Sequence, residues 1–123
     1  MNNPQLKALE ETCAITLSII RTRRHIENWP TDNILGALRA MKTDLEVLSG
    51  LLEDAEDKKR IEPLISGAQQ IVQDREHINL RKLADDYFFE LQSCLVSLQV
   101  ILDKKAKERM SAYEPNERLA LKT

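Results

Sequence analysis

Residues 31–60 read TDNILGALRAMKTDLEVLSGLLEDAEDKKR and carry the most regular apolar pattern in the chain. Apolar side chains recur there at intervals of three and four residues: Ile34, Leu38, Met41, Leu45, Leu48, Leu52 and Ala55. This spacing is typical of an amphipathic α-helix with one buried face. Pro30 closes the preceding segment, and Thr31 with Asp32 supplies a cap and a favourable first-turn charge. The pattern continues through Gly50, so we predict one long helix.

The same helical period extends along most of the chain. It predicts four helices, over about residues 4–28, 31–60, 63–77 and 79–110. Pro63 fits the first turn of the third helix, where no backbone N–H is needed, and Asn79 fits the cap of the fourth. Four helices with short connections predict an all-α fold, an antiparallel four-helix bundle in one domain over residues 1–110. Residues 111–123 are predicted to form a flexible C-terminal tail.

The composition narrows the class of protein. The chain has 123 residues, of which 42% are hydrophobic and 31% charged, as in a folded globular domain. The 18 Lys and Arg side chains stand against 20 Asp and Glu, so strong non-specific attraction to nucleic acid or an anionic membrane is not expected. The N-terminal residues lack the pattern of a secretory signal, and Cys13 and Cys94 are too far apart in sequence for a zinc motif. We therefore expect a cytoplasmic protein.

Helices one and four are expected to carry apolar side chains on two opposite faces. On helix four the core stripe centres on Leu91 and Leu98, and the opposite side holds Phe89, Val96 and Val100. On helix one the core stripe is predicted to contain Leu6, Cys13 and Leu17. The opposite side then holds Ile15, Ile19 and Ile26.

A second apolar face on each of these helices favours a protein–protein interface. Burying each large apolar side chain contributes about 1.5–3 kcal/mol, so exposed rows favour contact with a second copy or another protein. We predict an interface formed by Ile15, Ile19, Ile26, Phe89, Val96 and Val100. The alternative is that helices one and four are the central pair of a single bundle and are covered on both sides.

A cluster of arginines at the end of helix one is the best candidate for polar contact with a partner. Arg21, Arg23 and Arg24 are balanced nearby only by Glu27. Cations at a helix C-terminus compensate the helix dipole, which is the simpler structural role. No aromatic side chain interleaves these arginines for base stacking. Weak nucleic-acid binding therefore stays open only as an alternative function.

Two pairs of carboxylates are the remaining candidates for chemistry. Glu53 with Glu56, and Asp86 with Glu90, lie one helical turn apart and share a face within each pair. Over these few residues they resemble the Mg²⁺-binding carboxylates of all-α nucleotide pyrophosphohydrolases, although the rest of that family's pattern is missing. The resemblance implies a Mg²⁺-dependent hydrolase if the four side chains converge.

No other catalytic pattern is present in the sequence. His25 and His77 belong to different segments, and no glycine-rich phosphate loop or nucleophile motif occurs. We expect no enzyme activity, cofactor, metal or small-molecule substrate. The sequence predicts a non-enzymatic protein-interaction module, such as an adaptor, small chaperone or regulatory binding protein, that forms a homodimer through helices one and four.

Overall fold

The computed structural model describes residues 3–113, with side chains described up to residue 109. Within these residues the chain forms four α-helices joined by short connections, α1 (Pro4–His25), α2 (Thr31–Leu51), α3 (Ala55–Gln73) and α4 (Leu80–Tyr113). A single 3₁₀ turn at Ile26–Asn28 follows α1, and no strand occurs within residues 3–113. Residues 111–113 of the predicted tail belong to α4, and residues 114–123 lie outside the described residues.

The helices pack as an antiparallel four-helix bundle, which confirms the predicted fold class. The α1–α4 and α2–α3 pairs form the most extensive contacts, and α1–α2 and α3–α4 complete the ring. No helix within residues 3–113 combines the length and apolar character needed to cross a membrane. The core is lined by aliphatic side chains around Phe88 and includes Leu91 and Leu98 of α4. Of the stripe predicted for helix two, the residues from Ile34 to Leu52 are buried, whereas Ala55 is exposed.

The predicted boundary between helices two and three is wrong, and α3 ends at Gln73 instead of about residue 77. α2 ends at Leu51, Leu52 has an extended backbone, and the Asp54 side chain caps α3 by accepting a hydrogen bond from the Glu56 N–H. The apolar period runs across this break because α2 and α3 turn their apolar sides toward the same core. Pro63 consequently lies inside α3, and not in its first turn.

The buried face of α1 is also the reverse of the predicted one. Ile15, Ile19 and Ile26 are only 2%, 0% and 2% exposed, so the prediction that they form an exposed interface is wrong. The buried row of α1 carries no charged side chain, whereas the opposite row includes Glu10 and Arg24. Burying that charged row would cost more than burying threonines, because a threonine hydroxyl can donate to a carbonyl of its own helix.

Two threonines on the buried row of α1 form such hydrogen bonds within their own helix. The hydroxyl of Thr12 donates to the Leu9 carbonyl at 2.7 Å, and that of Thr22 donates to the Ser18 carbonyl at 2.9 Å. Both threonines are buried, yet neither leaves a hydroxyl without a partner. Threonines that satisfy their own hydroxyls can therefore lie in the core beside Ile15 and Ile19 of α1.

Candidate interaction surface

The outer row of α4 is exposed, as the sequence predicts. Phe89, Val96 and Val100 are 59%, 46% and 67% exposed. With Ser93, which is also exposed, they follow the alternating three- and four-residue spacing of a coiled-coil seam. The α4 half of the predicted interface is therefore accessible in a single copy of the chain.

α1 presents a matching apolar row, formed by residues that were predicted to be in the core. Leu6, Cys13 and Leu17 are exposed, while Leu9 and Ile20 beside them are half-buried. The prediction that α1 is apolar on two opposite sides is thus correct, with the two sides exchanged. The sequence signal for the correct assignment was the position of the charges on the row containing Leu17.

The two rows lie on the same side of the bundle. Between them, α1 and α4 are joined by polar side chains at the edge of their contact: Gln99 Nε2 lies 2.9 Å from Thr16 Oγ1, and Arg23 Nη1 lies 3.1 Å from Gln92 Oε1. These four residues separate the core from the exposed rows. We use the name α1/α4 outer face for the surface formed by Leu6, Cys13, Leu17, Phe89, Val96 and Val100.

Arg23 is the polar residue that organises this face. Its Nε atom lies 3.1 Å from Asp85 Oδ1, and its guanidinium carbon lies 5.1 Å from the centroid of the Phe89 ring. The position over the ring is that of a cation–π contact, which steadies Phe89 on the surface. Of the three arginines predicted to contact a partner, Arg23 is therefore engaged within its own chain. Arg21 and Arg24 are exposed.

The carboxylates that were considered for a metal site do not converge. Glu53 lies beside Arg109, near the end of α4, with Arg109 Nη1 3.2 Å from Glu53 Oε2. Glu90 lies near the start of α4, about 28 Å away along the helix axis at a rise of ~1.5 Å per residue. Within residues 3–109 no group of three or more His, Cys, Asp or Glu side chains is arranged to hold a metal ion.

A second charged cluster joins α4 to the α2–α3 connection. Lys105 Nζ lies 2.6 Å from Asp57 Oδ2 and 2.9 Å from Asp54 Oδ2. Asp57 is buried, and the hydrogen bond that it accepts from Lys105 is the main reason that the pKa of Lys105 is raised. The hydrogen bond from Lys105 lowers the pKa of Asp54. This cluster has a structural role, and the sequence prediction missed it because it continued one long helix through residues 31–60.

A cleft of about 480 Å³ opens between the 3₁₀ turn and the start of α4. Its charged lining is largely occupied within the chain: Arg23 pairs with Asp85, and Arg81 Nε donates to the Ile26 carbonyl at 2.9 Å. Arg81 also donates to the Trp29 carbonyl. These bonds hold the α1–α2 connection against α4, so the cleft is explained by the packing of the bundle.

No protein-family model, curated protein or solved structure matches this chain.

Proposed function

We propose that this protein is a non-enzymatic interaction module that forms a homodimer through the α1/α4 outer face. The observation that supports the proposal is the presence of six exposed apolar side chains on one side of two adjacent helices. Scattered apolar side chains are normal on a protein surface, but six of them aligned along two adjacent helices favour a contact site.

The dimensions of the face fit a dimer interface. α1 has 22 residues and is about 33 Å long, and two packed helices present a face about 20 Å wide. A stable interface covers roughly 800 Å² of accessible surface per partner, which a corrugated face of this footprint can supply. A second copy is the simplest occupant, because most soluble oligomers are symmetric homo-oligomers.

The proposed module acts by burying this face against the same face of a second copy. Its other surfaces remain free to bind a further protein, as those of an adaptor, chaperone or regulator would. We further propose a cytoplasmic location. The exposed Cys13 thiol, which lies within the apolar face, is suited to a reducing compartment.

Native mass tests the proposal directly. We expect sedimentation equilibrium to give wild type a mass of about twice 14.1 kDa and Val96→Glu a mass of about 14.1 kDa. Val47→Glu is the matched control, because Val47 is 52% exposed on α2 and lies outside the face. It should stay dimeric. Circular dichroism should show all three proteins equally helical, since both valines are exposed.

Two results would overturn the proposal. One is a wild type that sediments at about 14.1 kDa at every concentration up to the highest soluble one. The other is a Val96→Glu variant that remains as dimeric as Val47→Glu.

A further inference from the structure

The exposed row of α1 is spaced symmetrically along the sequence about Leu17. Its members on both sides of Leu17 are all exposed: Glu10, Cys13, Leu17, Arg21 and Arg24. The successive gaps are three, four, four and three residues, so Leu17 is seven residues from both Glu10 and Arg24. The charges, however, are opposite at the two ends.

This arrangement is complementary to itself only in the antiparallel sense. If two copies of α1 cross antiparallel at Leu17, Glu10 of each copy lies opposite Arg24 of the other, which gives two ion pairs related by the symmetry axis. In a parallel pairing Arg24 would face Arg24 and Glu10 would face Glu10, and like charges at an interface are destabilising.

The exposed row of α4 fits the same symmetry axis. The contacts of Thr16 with Gln99 and of Arg23 with Gln92 place Leu17 level with residue 98 of α4. A two-fold axis at that level sets Val96 opposite Val100 of the second copy. The apolar centres of both rows therefore meet their own counterparts.

From this coincidence we infer that two copies pair antiparallel, α1 on α1 and α4 on α4, about a two-fold axis at Leu17, with Glu10 of each copy bound to Arg24 of the other. The inference rests on the proposed function and specifies how the dimer is built.

The competing two-fold arrangement places α1 of one copy on α4 of the other, which brings Glu10 close to Lys107. Lys107 is already bonded to Asp103 of its own helix, with Nζ 3.0 Å from Oδ2. Neither Glu10 nor Arg24 forms an ion pair within the part of the chain whose side chains the structure describes. The α1-on-α1 arrangement therefore uses charges that the single chain leaves without partners there.

Cysteine cross-linking locates the axis. For a cysteine placed at the two-fold axis, the Cα atoms of the two copies lie within about 4–7 Å of each other, a distance that a disulfide can bridge. We expect the double variant Cys13→Ser/Leu17→Cys to form a cross-linked dimer within minutes of mild copper oxidation on a non-reducing gel. The native Cys13 lies four residues from the axis, so two copies of it are about 12 Å apart along the helices, and wild type should not cross-link.

The cross-linking result also separates the two arrangements. In the α1-on-α4 dimer, Leu17→Cys has no cysteine counterpart and stays uncross-linked. A cross-link would then form only when Cys13→Ser/Leu17→Cys is mixed with Cys13→Ser/Val96→Cys. That outcome would overturn the inference.

Charge exchange provides the second test. Glu10→Arg and Arg24→Glu should each raise the dimer dissociation constant about tenfold, because each removes two ion pairs and creates two repulsive ones. The double variant Glu10→Arg/Arg24→Glu should return to within about threefold of wild type. Arg39→Glu, which changes charge by the same amount on the exposed side of α2, should have little effect.

The outcomes distinguish this inference from the proposed function. If wild type is dimeric but the double variant is no tighter than the single ones, the dimer stands and the α1-on-α1 pairing is wrong. If wild type is monomeric, the proposed function fails first, and the pairing fails with it.

Discussion

The Nζ atom of Lys105 lies 2.6 Å from Oδ2 of Asp57, and this pair fastens α4 to the first turns of α3. Asp57 is buried, while Lys105 is half-buried, so the carboxylate depends on Lys105 for the solvation it has lost. The pair holds the α2–α3 connection in place at the end of the bundle where α4 passes it.

The Asp57→Asn variant should therefore be markedly less stable. Replacing the carboxylate with an amide of the same size removes the ion pair between Asp57 and Lys105 and leaves the exposed Asp54 as the carboxylate partner of Lys105. We expect the free energy of unfolding in urea at pH 7 to fall by about 1–3 kcal/mol. Asp103→Asn is the matched control. It breaks the exposed pair with Lys107 and should cost less than about 1 kcal/mol. Equal losses of unfolding free energy in the two variants would show that the buried pair stabilises the fold no more than the exposed pair does.

Asp54 should contribute to acid sensitivity. The hydrogen bond from Lys105 lowers the pKa of this carboxyl from its ordinary value of 3.8. A group whose pKa is lowered on folding stabilises the protein above its unfolded-state pKa and loses that effect as the pH falls through the folded-state value. Asp54→Asn keeps a side-chain acceptor for the α3 cap and removes only the charge.

The stability difference between wild type and Asp54→Asn should accordingly be largest near pH 6 and shrink as the pH falls below 3.8. Urea unfolding at pH 6, 4, 3 and 2.5 measures it. A difference that stays constant across this range would mean that the charge on Asp54 does not stabilise the fold.

The helices and the fold class could be predicted from the sequence, because the apolar period is continuous. The same continuity hid the break at Leu52. When the helices before and after a turn bury their apolar sides in one core, the apolar period does not show where the backbone turns. The cap at Asp54 was the only local signal there. Propensity alone would place Pro63 at a helix start, but the packing of α3 on α2 outweighs that preference.

The candidate face was half predictable. Phe89, Val96 and Val100 stood out because they lie opposite a clear core stripe. For α1, two apolar rows compete, and the regular spacing of Leu6, Cys13 and Leu17 favours the wrong row, on which Glu10 and Arg24 also lie. The alignment of α1 with α4 could not be predicted, because it depends on contacts such as Thr16 with Gln99, between residues far apart in sequence.

Pro63 should be replaceable with a gain in stability. It is exposed inside α3, where it lacks the N–H that a helical residue donates to the carbonyl four positions earlier. Pro63→Ala should raise the free energy of unfolding by about 1–3 kcal/mol. Pro4→Ala provides the comparison, because Pro4 occupies the first position of α1, where proline is well tolerated, and should change stability by less than about 0.5 kcal/mol. A destabilised Pro63→Ala would indicate that α3 is shaped around the proline.

Arg23 should stabilise the single chain as well as position Phe89. Its guanidinium bonds to Asp85 and Gln92 and covers one side of the Phe89 ring, so it joins α1 to α4 by three contacts at once. These contacts are partly exposed, and water screens them, so we expect Arg23→Ala to lower the free energy of unfolding by only about 1 kcal/mol.

The measurement belongs in the Val96→Glu background, because dimer formation would otherwise add to the apparent stability. Arg23→Lys should recover only part of the loss, since an ammonium group cannot bond to Asp85 and Gln92 while lying flat on the ring. Arg39→Ala, on the exposed side of α2, should change the free energy of unfolding by less than about 0.5 kcal/mol. If Arg23→Ala is as harmless as Arg39→Ala, the three contacts of Arg23 do not stabilise the packing of α1 against α4.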